Sequence, residues 1–415
     1  MLEAVTTTGP RPRRLLVWLG LAVTAIVLVG QGPRLLDPRV LGVADFVEYW
    51  SAARLNATGG NPYSPEQLLP LQQQAGWDED RPIPMWNPPW TLTLVTPLAL
   101  LSFPVARLLW LGLHLAIMLC CADWLWRHYG GPRSHRWLAW AVAMSFCPTL
   151  IVMHMGQVGP LMLLGSVAFL RFANSRHAWL AGAALVLVAV KPHLVYLVWV
   201  AILLWGIHRR RWAVFAGAGL AATATTAAAL WLNPSLLQQY REAMAQRLAS
   251  ETLDYLAPTL GALLRLALGE RRSWVQYLPT ALGLVWFVPY WLTRRRTWDW
   301  AEELPLLLLV SYTTALYGWL GDQVILLPAL VRGAVWVYRE RERQRARLVA
   351  GAYVVLNGVV LLTKVWSVPE VVQVWLAPVL LIGYLTLRAM AQRGRERTVP
   401  LARSQGQPVL VAEGS

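Results

Sequence analysis

Twelve apolar runs follow one another along the chain, at about 15–31, 105–126, 137–154, 158–172, 178–190, 192–207, 213–232, 274–293, 303–318, 323–338, 348–366 and 371–388. Short polar intervals rich in arginine separate many of them. This patterning predicts an all-α polytopic membrane protein of about 12 transmembrane helices. Several runs fall short of the roughly 20 residues that a perpendicular span needs. Helices that stop short are expected to end below the headgroups, around a water-filled hollow. The stretch PWTLTLVTPLALLSF, from Pro89 to Phe103, is read as re-entrant or interfacial. As a helix it would be roughly 22 Å long against about 30 Å of hydrocarbon, and Pro97 and Pro104 interrupt it.

Charge orients these elements. With the RPRR stretch (Arg11 to Arg14) inside, twelve crossings place Arg127–Arg136, Arg171–Arg176, Arg209–Arg211, Arg294–Arg296, Arg339–Arg347 and the C-terminal Arg393, Arg395 and Arg397 inside as well. Every strong basic block then obeys the positive-inside rule. The first run is read as an uncleaved anchor, since it is long for a signal peptide and no A-x-A site follows. The expected organisation is one transmembrane domain over 1–390 with outer segments 32–104 and 233–273, then a disordered cytoplasmic tail over 391–415. Both termini are expected in the cytoplasm, with the protein in the plasma membrane.

Composition agrees: 56% of the 415 residues are hydrophobic and 14% are charged. The net charge of +15 lies mostly in the blocks between spans, which suits an anionic leaflet better than nucleic acid. Cys120, Cys121 and Cys147 all lie in apolar runs without ligand spacing, so neither a zinc site nor a disulfide framework is expected. No Walker A loop, dinucleotide fingerprint, HExxH or GxSxG is present.

The unusual polar residues gather on the outer side. Asp45 opens the helix-like stretch FVEYWSAARL. It can act as a general base, bind a metal or cap the helix, and Glu48 stands where a capping box would place an acid. Tyr49 shares the Asp45 face, and Arg54 can pair with an acid or a phosphate. GGNPY brings Tyr63, and MWNPPW brings Asn87 between two tryptophans. MGQVG holds Gln157, one helical turn after His154. Lys191 precedes Pro192 and His193 at the edge of a span, where a cation is a functional candidate. GWLGDQ supplies Asp322 and Gln323, with a helix cap as the alternative for Asp322.

DFVEYWSAARL, GGNPY, NPPW with PLALLSFPVARLLW after it, GQVG and VKPH resemble, in that order, glycosyltransferase family 87. The resemblance spans about 41 to 340 and implies a GT-C-type fold similar to the polyprenol-phosphate-mannose-dependent mannosyltransferases. It implies a polyprenyl-phosphate sugar donor used on the outer face, a lipid or glycan acceptor, and Asp45 as the catalytic base. The family's Lys-Pro matches Lys191 and Pro192, and its Gly-Gln matches Gly156 and Gln157. A His-containing motif after a Trp in the later outer loop accompanies mannose; here that loop reads GWLGDQ, without His. The expectation is an inverting membrane glycosyltransferase with no cofactor, although a divalent ion on Asp45, Glu48 or Asp322 stays open. The alternative is a transporter or flippase of a polyprenyl-linked glycan.

Overall fold

In a computed structural model, residues 44–249, 256–340 and 342–403 are described, and no strand occurs among them. The expected first span at 15–31 and the tail beyond 403 lie outside the described residues. Seventeen α-helices follow in chain order. The segment 44–104 contributes α1 (Phe46–Ala57), α2 (Pro65–Gln74) and α3 (Trp90–Ala99). Then come α4 (Phe103–His128), α5 (Trp137–Ser145), α6 (Cys147–Met155), α7 (Gly159–Phe172), α8 (Ala178–Val188), α9 (Tyr196–His208) and α10 (Trp212–Leu232). The segment expected outside at 233–273 holds α11 (Leu236–Ala249) and α12 (Leu260–Leu268). The chain closes with α13 (Leu278–Arg294), α14 (Trp300–Thr313), α15 (Leu327–Arg339), α16 (Arg343–Val365) and α17 (Leu376–Arg403). The last helix runs past the 390 boundary expected for the tail.

Each of the eleven expected spans from 105 onward holds a helix, but their lengths differ widely. Among the described residues, five helical stretches are long and apolar enough to cross a bilayer: Phe103–His128, Trp212–Leu232, Leu320–Arg339, Arg343–Val365 and Glu370–Arg393. A sixth arises if the bent pair around Phe146 counts as one span. The count of 12 is therefore not reproduced by length and composition. With 14 and 11 residues, α7 and α8 rise only about 21 and 17 Å at 1.5 Å per residue. Exposed apolar side chains line the outside of the longer helices, among them Leu220 on α10, Val285 on α13 and Val354 and Leu362 on α16. That surface suits hydrocarbon rather than water.

The helices run between two chemically distinct ends. At one end the basic loops meet. Arg209 donates to the carbonyl of Arg296 at 2.6 Å, and Arg339 to that of Gly130 at 2.5 Å. His128, Arg171, Asn174 and Asp299 line a common cavity there of about 270 Å³. At the other end lie the loops that hold Gln157, Lys191 and Asp322, covered by α1–α3.

Close packing depends on a few residues. Gly182 on α8 and Gly217 on α10 face each other's helix so tightly that added Cβ atoms would come within 1.9 Å of Val214 O and 2.0 Å of Trp179 O. Small residues here let two helices approach where the hydrophobic effect supplies no drive. The expected span 137–154 is broken, with a 61° bend between 133–145 and 147–155. Pro148 cannot continue the hydrogen-bond ladder, and the side chain of Asn357 on α16 accepts from the Cys147 amide at 2.7 Å. The expected re-entrant stretch is the ten-residue α3, too short to cross, lying against α10 with Thr93 bonded to the Thr225 carbonyl at 2.6 Å.

Candidate functional site

Asp45 is the N-cap residue of α1, yet its side chain caps nothing. Its backbone is in the αR region (φ −52°, ψ −21°) rather than the extended one that N-caps favour. The carboxylate instead accepts a short hydrogen bond from Nε2 of Gln157. Glu48 does not complete a capping box either. Glu48 is 8% exposed, and its carboxylate faces the main-chain N–H of Trp86. Both acids are thus spared from helix capping. Burial pushes Asp45 above its ordinary value, with the Gln157 hydrogen bond and the Lys191 charge pulling the other way. Burial, reinforced by the neighbouring Asp45 charge, pushes Glu48 well above its own.

Gln157 is held by a tight turn. α6 ends at Gly156 in the left-handed region (φ 74°). A Cβ there would meet Cβ of Phe46 at 2.7 Å, so only glycine lets the turn press against the start of α1. From α4, Trp110 donates to the Gly156 carbonyl at 2.7 Å, and Arg107 to the carbonyls of Met153 (2.9 Å) and His154. These carbonyls are the unpaired C-terminal end of α6, where a cation is favoured. Arg107, only 2% exposed, was absent from the sequence candidates. Its place inside an apolar run was the signal that could have found it.

Lys191 follows α8 and pairs with Oδ1 of Asp322 at 2.8 Å. The other oxygen of Asp322 accepts from the amide of Trp319 at 3.0 Å. Asp322 is thus not the N-cap expected from the sequence; Trp319 is, and Asp322 reaches back to its amide from the third position of the 320–326 helix while also binding the lysine. The Lys191 side chain is 12% exposed and that of Asp322 is 0%. The charges of Lys191 and Asp322 both act on Asp45 and Glu48, so the two pairs form one electrostatic cluster. Asn87 fixes the approach to Lys191 by donating to the Val190 carbonyl at 3.1 Å, and the Tyr63 hydroxyl donates to the Asn87 carbonyl at 3.4 Å.

The other sequence candidates take different places. Tyr49 is buried beside Glu48. His193 is exposed, its ring 5.9 Å from that of Tyr317, within the field of Lys191 and Asp322. Gln323 is buried against Tyr312. Arg54 is exposed and stacks on Trp50 at 5.2 Å. The His154 side chain is exposed, and only its carbonyl is engaged by Arg107.

Two further groups join the cluster. Glu370 lies just before α17, pairs with Lys364, accepts from the Leu320 amide at 3.4 Å, and its charge reaches Asp45. Arg247 on α11 sits over the Trp86 ring at 4.1 Å, with its charge acting on His193 and Tyr317. Among the described residues, no three His, Cys, Asp or Glu side chains are grouped to hold a metal ion. The arrangement offers the buried Asp45 carboxylate as a proton acceptor.

The profile of glycosyltransferase family 87 matches residues 86–363. Asp45 and Glu48 precede that stretch, and Lys364 and Glu370 follow it. No curated protein and no solved structure matches the chain.

Proposed function

The chain belongs to glycosyltransferase family 87, and from that premise we propose that it moves a sugar from a polyprenyl-phosphate carrier to a lipid or glycan hydroxyl, with Asp45 as the base. The observation that carries this reading is the Asp45 carboxylate, which is freed from capping and aimed by Gln157.

The acceptor hydroxyl meets Asp45. Its oxygen attacks the anomeric carbon as the proton passes to the carboxylate. The bond from that carbon to the phosphate oxygen breaks, and polyprenyl phosphate leaves with the electron pair. Displacement from the opposite side inverts the anomeric centre. A base with a raised pKa is better matched to a hydroxyl proton than an ordinary carboxylate, and such help is worth about 10²–10⁴-fold. Gln157 holds the carboxylate in line, and with the Lys191 charge it opposes the upward pull of burial on the Asp45 pKa.

The basic loops collect at the opposite end of the helices. We read that end as cytoplasmic under the positive-inside rule, and this supports an outer-face position for Asp45 at the plasma membrane. The exposed apolar side chains of α10, α13 and α16 offer a polyprenyl chain a hydrocarbon-like surface. The test is purified protein in detergent with a polyprenyl-phosphate hexose, mannose first, and a panel of glycan and lipid acceptors. Acceptor-dependent release of polyprenyl phosphate with an inverted product supports the reading. A retained anomeric configuration, or release only from a nucleotide sugar, overturns it.

A further inference from the structure

The charges around Asp45 are unfavourable to an anion. Four carboxylates converge there: Asp45, Glu48, Asp322 and Glu370. Two ammonium groups face them, and both are engaged, Lys191 by Asp322 and Lys364 by Glu370. Even with a proton held on Glu48 by burial, the acids outnumber the lysines. A phosphate placed in their midst would be repelled by the carboxylate that must stay ionised to act as base.

A second group of side chains differs. Trp86, His193, Tyr317 and Trp319 form an aromatic rim, with Tyr317 and Trp319 rings 5.7 Å apart. Trp86 links the two groups, since its amide faces Glu48 and its ring carries the Arg247 guanidinium. A second contact from α11 to the outer segment, Tyr240 on Tyr63 at 5.3 Å, fixes the helix over this rim. Arginine suits phosphate through its planar fork of donors. Stacked on an indole, it is also pre-oriented.

We propose that Arg247 is the donor-phosphate anchor, holding the polyprenyl phosphate against the Trp86–His193–Tyr317 rim while the sugar reaches toward Asp45. This rests on the transfer reaction given above. The leaving phosphate then departs on the side away from the carboxylates, as inversion by Asp45 requires.

The experiment is binding of a polyprenyl phosphate, in mixed micelles, to the full chain and three variants. Arg247→Gln should weaken binding about 10- to 100-fold, as loss of a charged hydrogen-bond donor does, and raise the donor KM more than it lowers kcat. Arg247→Lys should recover part of the loss. Asp45→Asn should bind at least as tightly as the wild type, since a repelling charge is removed. Wild-type affinity in Arg247→Gln would overturn the anchor and leave the base assignment standing. Absence of binding by the wild type would instead overturn the lipid-phosphate donor itself.

Discussion

Replacing Lys191 by methionine keeps the length of the side chain and removes its charge, leaving Asp322 alone. Asp322 is 0% exposed and cannot turn to water. One of its oxygens would keep the Trp319 amide, but the other would lose the 2.8 Å ammonium contact. Breaking a buried pair from one side costs about 3–5 kcal/mol, because a charge is stranded. The reverse change, Asp322→Asn, costs less. Lys191 is partly exposed and can reach solvent, and asparagine still offers an oxygen to Trp319, so the loss is about 1–2 kcal/mol. In the double variant no charge is stranded, so its loss should fall below that of Lys191→Met alone. The coupling in the double-mutant cycle should then exceed the Asp322→Asn loss itself, about 1–2 kcal/mol. Reversible unfolding of purified protein in mixed micelles measures all four corners. Single losses that add within about 0.5 kcal/mol, the scatter of independent sites, would refute the pairing as an energetic unit.

Two other outcomes are expected. An added Cβ at Gly321 would lie 2.9 Å from Oε1 of Gln157 and 3.4 Å from Cα of Val152. Gly321→Ala should therefore push Gln157 off Asp45 and cost turnover about 10- to 100-fold, the worth of a hydrogen bond to a charged group; a further loss of that size on a Gln157→Ala background would show that the effect runs by another route. Because burial raises both Asp45 and Glu48, kcat/KM should rise with pH through a midpoint above the ordinary carboxylate values of about 3.9 and 4.3. The sign for stability is opposite. The folded state holds these protons more tightly, so their contribution is fully present below the unfolded values and is lost as pH rises through the folded ones. Rate and melting profiles that rise together across that window would contradict this, and Gln157→Ala should move the rate midpoint upward.

Much of the helix pattern was legible because apolar runs and arginine blocks are local signals. The run 105–126 lies inside α4, and the break before Pro148 follows from proline chemistry. Span number was less legible, since α7 and α8 are too short to be counted by length alone. The Asp45–Gln157 and Lys191–Asp322 contacts join residues 112 and 131 positions apart, and no local pattern specifies such pairs. At Asp45 local reasoning allowed a cap, and the distant Gln157 won. Arg107 and Lys364 carried a readable sign, a charge inside an apolar run. Arg247 did not, because a charged outer helix looks the same whether or not it covers a site.

The central claim is that one carboxylate accepts the acceptor proton, and Asp45→Asn tests it most directly. The variant keeps the side-chain size at a position where no cap is lost. Its acceptor-dependent turnover of a polyprenyl-phosphate sugar should fall about 10²–10⁴-fold, with melting and membrane insertion as in the wild type. Wild-type turnover in that protein would contradict the account.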